Sequence, residues 1–200
     1  MRIPFKLTVI SLFAAIAAGG ILLFSQPGET NAQEGRADIG GNFTLTDSNG
    51  NAYSSDALLG QYSLVFFGFT HCPDMCPTGL TTITDALDAL PEGLLEQITP
   101  VFITVDPKRD TPERMAKYAT HFHPKLVSLT GSEDAIQSVA KAYKAFYKSA
   151  QTSDDQKDYM VNHSGFIYLM GPKGHYRKHF AHNADPDEMA KTIAEVMTGH

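Results

Sequence analysis

Two unbroken apolar runs stand out in the amino-acid sequence. Residues 63–69 and 98–105 are each of strand length and carry no charge, as strands buried on both faces require. Residues 43–46 alternate polar and apolar positions before the turn signal Asn49-Gly50, which predicts a half-buried strand. Residues 126–129 predict a further short strand.

Helical spacing of apolar residues appears between these strands. Residues 78–90 carry leucine and isoleucine at helical intervals, and residues 186–197 form a closing amphipathic pattern. Residues 110–113, Asp-Thr-Pro-Glu, start another helix, because they combine a polar cap, an early proline and a carboxylate near the positive end. Residues 131–133 start a fourth in a similar way.

The last third of the chain adds antiparallel strands. Residues 159–170 and 175–181 flank the turn sequence at 171–174, which predicts a hairpin, and residues 149–158 form a polar loop. The order β-α-β-α followed by β-β-α predicts an α/β fold. We expect a central mixed sheet flanked by helices, with a C-terminal β-hairpin and helix, in a thioredoxin-like layout.

The N-terminus predicts export. Arg2 and Lys6 precede the uncharged residues 7–24, which indicates a membrane anchor or a signal sequence within residues 1–24, and we expect an uncleaved anchor. Residues 25–41 are rich in turn-forming and polar residues and predict a tether. Residues 42–200 then form the domain, which we expect on the periplasmic side of the cytoplasmic membrane, where a disulfide persists.

Composition narrows the function. The 200 residues carry a net charge of -6 and no long basic run, which argues against nucleic acid as a partner. Cys72 and Cys76 are the only two cysteines. They stand where the first apolar strand should turn into a helix, so the functional chemistry is expected at this pair.

Pro73 and Pro77 place a helix start near the two cysteines. Proline is tolerated in the first helical turn, so the helix is expected to begin within residues 72–77. A helix N-terminus stabilises a thiolate, the form that attacks disulfides and binds metals. Positions 72 and 76 share one helix face, and a disulfide between them is geometrically feasible.

The residues alone leave three interpretations of the Cys72–Cys76 pair open. A structural disulfide would close only a tiny loop and constrain the unfolded chain little. A dithiol oxidoreductase would differ from thioredoxins, which have two intervening residues instead of three. A soft-metal site suits two thiolates, which favour Cu(I), but needs a further ligand.

His163 is the best candidate for that ligand among the eight histidines. It lies at a loop-to-strand junction just before residues 165–169, and a hairpin beside the first strand would bring it over the cysteines. Two thiolates and one imidazole can hold copper in either oxidation state. Ordinary hydrogen bonding is the alternative role, and zinc is disfavoured because a closed structural zinc site needs a fourth ligand.

The other histidines are weaker candidates. His71 adjoins Cys72 but points away from it if the strand persists. We expect His175, His179 and His182 to lie on a solvated strand edge; the alternative is that they bind a metal at a secondary site. His121 and His123 are expected at the end of a helix.

Asp106 closes the strand at residues 98–105. If this strand is parallel to residues 63–69, Asp106 emerges at the same sheet edge as the cysteines, where open α/β sheets place their sites. It is a candidate for orienting a ligand or partner; the alternative is a loop carboxylate that caps a turn.

Five segments in this order resemble the Sco/SenC family of copper-binding, membrane-anchored, thioredoxin-like proteins, over about residues 38–198. They are residues 68–78, 105–113, 129–131, 162–164 and 168–169. The resemblance implies that Cys72, Cys76 and His163 bind copper as Cu(I), Cu(II) or both. Asn162 departs from the family pattern, which commonly has Asp before this histidine, and joins Asp106 as a candidate outer-shell residue.

The resemblance also implies a metallochaperone rather than a conventional enzyme. The family function is copper delivery or thiol reduction during assembly of the copper A centre of cytochrome c oxidase. The expected partners are the oxidase subunit with that centre and other copper chaperones or thiol reductants. A Cys72–Cys76 disulfide would expel the metal, so redox state would gate transfer. A thiol-disulfide reductase and a copper or redox sensor remain the alternatives.

Overall fold

The computed structural model describes residues 38–149 and 159–199. Its nine strands are β1 (Thr44–Asp47), β2 (Ala52–Ser54), β3 (Tyr62–Gly68), β4 (Ile98–Thr104), β5 (Val127–Thr130), β6 (Tyr147–Ser149), β7 (Val161–His163), β8 (Phe166–Met170) and β9 (Tyr176–Ala181). Seven of these strands form one mixed sheet in the order β2-β1-β5-β4-β3-β8-β9, and β6 and β7 form a small two-stranded ribbon.

The two apolar runs of the sequence form the centre of the sheet. Strand β3 pairs in parallel with β4 and antiparallel with β8, and β4 pairs in parallel with β5. Leu64, Phe66 and Phe102 are fully buried, because neighbouring strands and covering helices leave neither face of β3 or β4 in water. The parallel arrangement brings the C-terminal ends of β3 and β4 to the same edge.

Five α-helices accompany the sheet in the described residues: α1 (Met75–Asp88), α2 (Glu92–Leu95), α3 (Pro112–Ala119), α4 (Glu133–Ala142) and α5 (Pro186–Thr198). Side-chain oxygens of Thr111, Ser132 and Asp185 accept hydrogen bonds from the first turns of α3, α4 and α5. These caps satisfy N–H groups that the helices leave unpaired. Asp74, at the corresponding position of α1, makes no side-chain cap.

The fold confirms the predicted thioredoxin-like α/β class, with a mixed sheet flanked by helices. The predicted hairpin is β8–β9, and the closing helix is α5. The strand predicted over residues 159–170 is not continuous, because residues 161–163 form β7, which pairs with β6 instead of joining β8. Strand β6 was not predicted, because it is only three residues long. Helix α3 ends at Ala119, so the expectation that His121 and His123 end a helix was wrong.

Some expectations fall on residues outside the described ranges. The predicted anchor or signal at residues 1–24 is among them, as are nearly all of the tether at 25–41 and residues 150–158 of the predicted polar loop. Within the described ranges, no helix is both long and apolar enough to cross a membrane.

Candidate metal centre

Three donor atoms from two distant parts of the chain converge at the C-terminal edge of β3. Cys72 lies in the turn after β3, Cys76 lies in the first turn of α1, and His163 ends β7. Their Sγ and imidazole nitrogen atoms all lie within 4.8 Å of one another. In the described residues this is the only group of three or more histidine, cysteine or acidic side chains with such geometry.

Hydrogen bonds fix the orientation of the imidazole. The Nδ1 atom of His163 lies 3.1 Å from the carbonyl oxygen of Ser164. A carbonyl oxygen only accepts hydrogen bonds, so Nδ1 is the donor in this contact. Nε2 lies 3.2 Å from Sγ of Cys76, so it is the ring nitrogen that faces the sulfurs and is placed to bind a metal.

The two cysteines differ in environment although neither forms a disulfide. Cys76 is fully buried, whereas Cys72 is half-buried. The backbone N–H of Phe69 donates to Sγ of Cys76 at 3.4 Å, and that of Cys76 donates to Sγ of Cys72 at 3.4 Å. Cys72 is therefore the sulfur that an incoming group meets first.

The two cysteines also differ in pKa, and the more exposed Cys72 has the lower one. A hydrogen bond from the Cys76 thiol, helped by His163 and backbone N–H groups and opposed by burial, lowers the pKa of Cys72 to about 3. The hydrogen bond to the Cys72 sulfur, together with burial, raises the pKa of Cys76. The pair thus holds one thiolate and one thiol that share a proton between sulfurs.

Close packing beneath the sulfurs depends on Gly68, the last residue of β3. A Cβ atom at this position would lie 2.6 Å from Sγ of Cys76 and 2.8 Å from the ring of Phe102. The rings of Phe69 and Phe66 contact the His163 ring edge-on, at centroid distances of 5.7 and 6.3 Å. The donor atoms therefore rest on an apolar floor that water does not reach.

Asp110 anchors the cysteine turn from below. Its side chain is fully buried and accepts hydrogen bonds from the backbone N–H and the hydroxyl of Thr70, at 3.0 and 2.6 Å. The hydroxyl of Thr104, the last residue of β4, donates to the same carboxylate at 2.6 Å. These bonds tie the turn before Cys72 to the neighbouring strand.

Asp106 makes a second anchor, for the segment that carries His163. The Tyr159 hydroxyl donates to Oδ1 of Asp106 at 2.5 Å, and Nε of Arg109 donates to Oδ2 at 2.5 Å. The guanidinium group of Arg109 also stacks on the Tyr159 ring, 3.7 Å from its centroid. Asp106 therefore holds the chain four residues before His163, which lies on the same short segment.

The structure brings Cys72, Cys76 and His163 together and places Asp106 behind the His163 segment. Asn162 is exposed and pairs across the ribbon with Lys148. His71 lies with Nδ1 4.0 Å from Asp110 and 3.5 Å from the hydroxyl of Thr70.

The remaining histidines lie outside this cluster. His175 and His179 are exposed, His182 is half-buried, and His179 bonds to the Tyr176 hydroxyl through Nδ1 at 2.5 Å. Buried His123 packs beside α1, where its Nδ1 accepts from the backbone N–H of Lys125 at 3.1 Å.

The sequence does not predict the roles of two supporting residues. It predicts Tyr159 only as the start of a strand, and Asp110 only as part of a helix cap. A buried carboxylate shows no signal in a single sequence, because aspartate beside a helix start is ordinary. Tyr159 could have been noticed because it lies only four residues before His163. That closeness indicates a role only when Asp106 is known to accept a hydrogen bond from Tyr159.

The donor set fits a soft metal ion. Two sulfurs and one imidazole nitrogen at these separations suit copper in either oxidation state, and no fourth residue of the described part completes a closed zinc site. The fold and the site together define a class: a thioredoxin-like protein with a two-cysteine, one-histidine candidate metal centre at the edge of its sheet.

Comparison with known proteins narrows this class to a family. The model of the SCO1/SenC family matches residues 31–198. The SCO2-like protein RP587 of Rickettsia prowazekii is 45% identical over 194 residues, which cover 94% of this chain and 92% of the relative. The chain belongs to the SCO1/SenC family.

Two solved structures are similar to this one. The Arabidopsis thaliana ScoI structure with copper bound has a TM-score of 0.74 and 37% identity, covering 81% of this chain and 99% of that one. The yeast Sco1 structure with copper bound has a TM-score of 0.76 and 34% identity, covering 82% and 90%. Copper is the metal bound in both structures.

Proposed function

We propose that this protein is an exported copper chaperone that holds copper through Cys72, Cys76 and His163. Its cargo goes to the copper A centre of cytochrome c oxidase during assembly. The observation that carries this proposal is the convergence of the three donor atoms within 4.8 Å of one another. The copper-bound relatives and the family's role in oxidase assembly support the choice of metal and of recipient.

Binding of copper uses the asymmetry of the cysteine pair. Cu(I) meets the half-buried Cys72 thiolate first, then Cys76, whose thiol loses its proton as the second sulfur bond forms. Nε2 of His163, which faces the sulfurs, becomes the third ligand. The cysteine pair releases one proton for each Cu(I) bound, because Cys72 is already a thiolate at neutral pH.

Delivery follows by ligand exchange at the exposed side. A thiolate of the recipient subunit approaches the copper next to Cys72, and the protein's own ligands leave one at a time. Three ligands leave a coordination position open to the recipient, so the metal need not become free in solution. The buried Cys76 and the apolar floor under His163 keep water away from the opposite side.

The described contacts also favour a second function, reduction of a disulfide in the oxidase subunit. The Cys72 thiolate would attack the substrate disulfide and release one substrate thiolate. The Cys76 sulfur would then attack the mixed disulfide, which leaves a Cys72–Cys76 disulfide and a fully reduced substrate. The low pKa of the accessible Cys72 and the burial of its neighbour Cys76 suit this order.

The proposed location is the cytoplasmic membrane, with the domain on the periplasmic side. The proposal rests on the sequence of residues 1–24, which predicts a membrane anchor. The expected partners are the copper A subunit of the oxidase and the chaperones or reductants that load and reduce this protein. The choice between an anchor and a cleaved signal is tested by N-terminal sequencing of the mature chain.

The test is copper binding by the reduced full-length chain in detergent. One equivalent of Cu(II) is added to each of four proteins: wild type, His163→Ala, the double variant Cys72→Ser/Cys76→Ser and the control His175→Ala. Bound metal and the absorption spectrum are then measured. We expect one copper with thiolate-to-copper charge transfer in wild type and control, an altered spectrum without His163, and no charge transfer without the cysteines. Failure of the wild type to retain copper would refute the proposal.

Reductase activity is distinguished with copper-free protein. Catalytic reduction of a protein disulfide by His163→Ala at the wild-type rate would support the second function, because that chemistry needs only the two sulfurs. If the same variant loses copper and reduces nothing catalytically, delivery is the function that remains.

A further inference from the structure

A cavity of about 240 Å³ lies beside the start of β3, whereas the candidate metal centre lies at the end of this strand. It is bordered by residues 38–42, by the short 3₁₀ helix Ser55–Leu58 and by the turn between β8 and β9. A single water occupies about 30 Å³ of the liquid. The cavity therefore has room for a small organic molecule.

Two buried hydroxyl groups line this cavity. Tyr143, directly after α4, is 4% exposed, and Ser63, in β3, is 3% exposed. Within the described residues, neither hydroxyl has a hydrogen-bond partner. Each oxygen keeps some accessible surface, so the hydroxyls open into the cavity. Because a buried polar group without a partner is costly, we expect a molecule in the cavity to bond to both.

Neighbouring rings hold Tyr143 in position. Its ring packs against those of Phe67 and Tyr168, at centroid distances of 5.4 and 5.9 Å. Burial raises the pKa of Tyr143 to about 12, so the hydroxyl keeps its proton at neutral pH and donates a hydrogen bond. The hydroxyl of Ser63 can also donate. The inner wall of the cavity thus offers two donors.

The rest of the lining decides the class of ligand. Leu58 and Met170 form buried apolar walls, and Leu59, which is 52% exposed, adds an apolar rim. The lining residues with a full charge at neutral pH, Asp38 and Lys173, are both exposed and opposite in sign. A charged ligand would therefore lose its hydration without meeting a buried counter-charge in the described lining. An uncharged molecule with an apolar body and an oxygen acceptor fits better.

We propose that this cavity binds a small, uncharged organic molecule through a carbonyl oxygen. That oxygen accepts hydrogen bonds from Tyr143 and Ser63, and the apolar part of the molecule packs against Leu58 and Met170. A carbonyl oxygen has two lone pairs, so a single atom satisfies both hydroxyls. The site uses none of the candidate copper ligands and does not depend on the proposed function.

The test is binding of cyclohexanone, a compact uncharged ketone, to the full-length chain in detergent. The chain carries ¹³C-methyl methionine, and the methyl signals are assigned by single Met→Leu substitutions. Met170 lines the cavity, so its signal should shift with added ketone and then saturate. Met115, which is buried in α3 away from the cavity, should give an unmoved signal. The titration curve of Met170 gives the affinity.

Removal of each hydroxyl tests the assigned contacts. Tyr143→Phe keeps the ring and removes one donor, so ketone binding should weaken about fivefold, and Ser63→Ala should have a similar effect. Neither variant loses a described hydrogen bond of its side chain, so the free energy of unfolding without ketone should stay close to the wild-type value. The controls Tyr53→Phe and Ser138→Ala lie outside the cavity and should bind as wild type does.

Two results would overturn the proposal. A Met170 signal that stays still up to the highest ketone concentration that leaves the protein folded would show that the cavity holds water only. Equal affinities of wild type and the combined variant Tyr143→Phe/Ser63→Ala would show that the hydroxyls do not hold the ligand. Detergent takes up the same share of ketone in every sample, so the ratios between variants are unaffected by it.

Discussion

Among single residues, the two cysteines of the candidate centre differ in solvent exposure and in pKa. Cys72 and Cys76 are chemically identical, yet one is a half-exposed thiolate and the other a buried thiol. A proton shared between two adjacent sulfurs lies on the one that water cannot stabilise as an anion. This asymmetry fixes which sulfur reacts first.

The reactivity of Cys72 should show this directly. A pKa of about 3 keeps Cys72 a thiolate from pH 5 to 8, so its alkylation by iodoacetamide should be nearly independent of pH across that range. Replacement of the hydrogen-bond donor, Cys76→Ala, should raise the pKa of Cys72 and make the rate climb with pH. Rates are measured by mass spectrometry of the Cys72 peptide. A steep pH dependence in wild type would contradict the assignment.

Gly68 should tolerate no side chain. A Cβ atom at this position would stand 2.6 Å from Sγ of Cys76, so Gly68→Ala must displace the sulfur or the Phe102 ring. We expect a loss of about 1–3 kcal/mol in the free energy of unfolding and weaker copper binding. Denaturant unfolding and copper competition measure the two effects. Gly93→Ala is the control, because nothing lies within 4 Å of its Cβ position.

At the scale of elements, short segments outside the main strands place the third ligand. The ribbon of β6 and β7 carries His163 over α1, and the Asp106–Tyr159 contact fixes the start of that segment to the end of β4. Two strands of three residues have little stability of their own. Tertiary contacts must therefore hold the imidazole in position.

Tyr159→Phe should loosen this segment. The substitution removes the hydroxyl that donates to the buried carboxylate of Asp106, at a cost of about 1.5–3 kcal/mol for a hydrogen bond to a charged group. We expect a lower free energy of unfolding and weaker copper binding, because His163 is less well placed. Met160→Leu, at the exposed neighbouring position, should change neither. Copper affinity equal to wild type in Tyr159→Phe would show that Asp106 does not position the ligand.

His123, which packs beside α1, should make the free energy of unfolding fall at acid pH. Burial, with a smaller effect of Lys125, lowers the pKa of His123 in the folded protein, against the attraction of Asp88. Its Nδ1 must stay unprotonated to accept from the N–H of Lys125. Below about pH 6.5 the unfolded chain takes up a proton that the folded one refuses, so stability falls, at up to about 1.4 kcal/mol per pH unit.

The variant His123→Asn isolates this effect. Asparagine can accept the same hydrogen bond two residues on but does not titrate. Unfolding free energies measured between pH 8 and pH 5 should therefore decline less in the variant than in wild type. Equal declines in the two proteins would contradict the assignment to His123.

At the scale of the whole molecule, a bound metal would join parts of the chain that are far apart in sequence. Cys76 and His163 are separated by 87 positions, so copper would tie the β3–α1 turn to the small ribbon. Because the unfolded chain lacks this arrangement, binding should stabilise the fold by about 2.7 kcal/mol at a hundredfold excess over the dissociation constant.

Thermal unfolding measures this linkage. We expect copper to raise the midpoint of the reduced protein by about 5–10 °C. The increase in midpoint should be smaller for His163→Ala, in which copper is held by the two cysteines alone. It should be the same as in wild type for the surface control His175→Ala. A gain in His163→Ala equal to that of wild type would exclude the histidine from the bound site.

The sequence predicted more of the fold than of the site's supporting residues. Strands β3 and β4 were predicted because each is a continuous apolar run. Helices α3 and α4 were predicted from the residues at their starts, and α5 from its amphipathic pattern. Strand β6 was not predicted because a three-residue strand is too short to show a period. The roles of Asp110 and Tyr159 were not predicted because a single sequence does not show what a polar side chain will face.

Most of the strands and helices followed from the sequence alone, as did the cysteine pair at a helix start and, through the family resemblance, His163 as its companion. These features are local, since apolar period, proline placement and residue type act within a few positions of the chain. The packing of the folded chain is what buries the Cys76 sulfur and brings Tyr159 to Asp106. Each of these is a contact between segments far apart in sequence, and such contacts depend on how the sheet edge, α1 and the ribbon pack together.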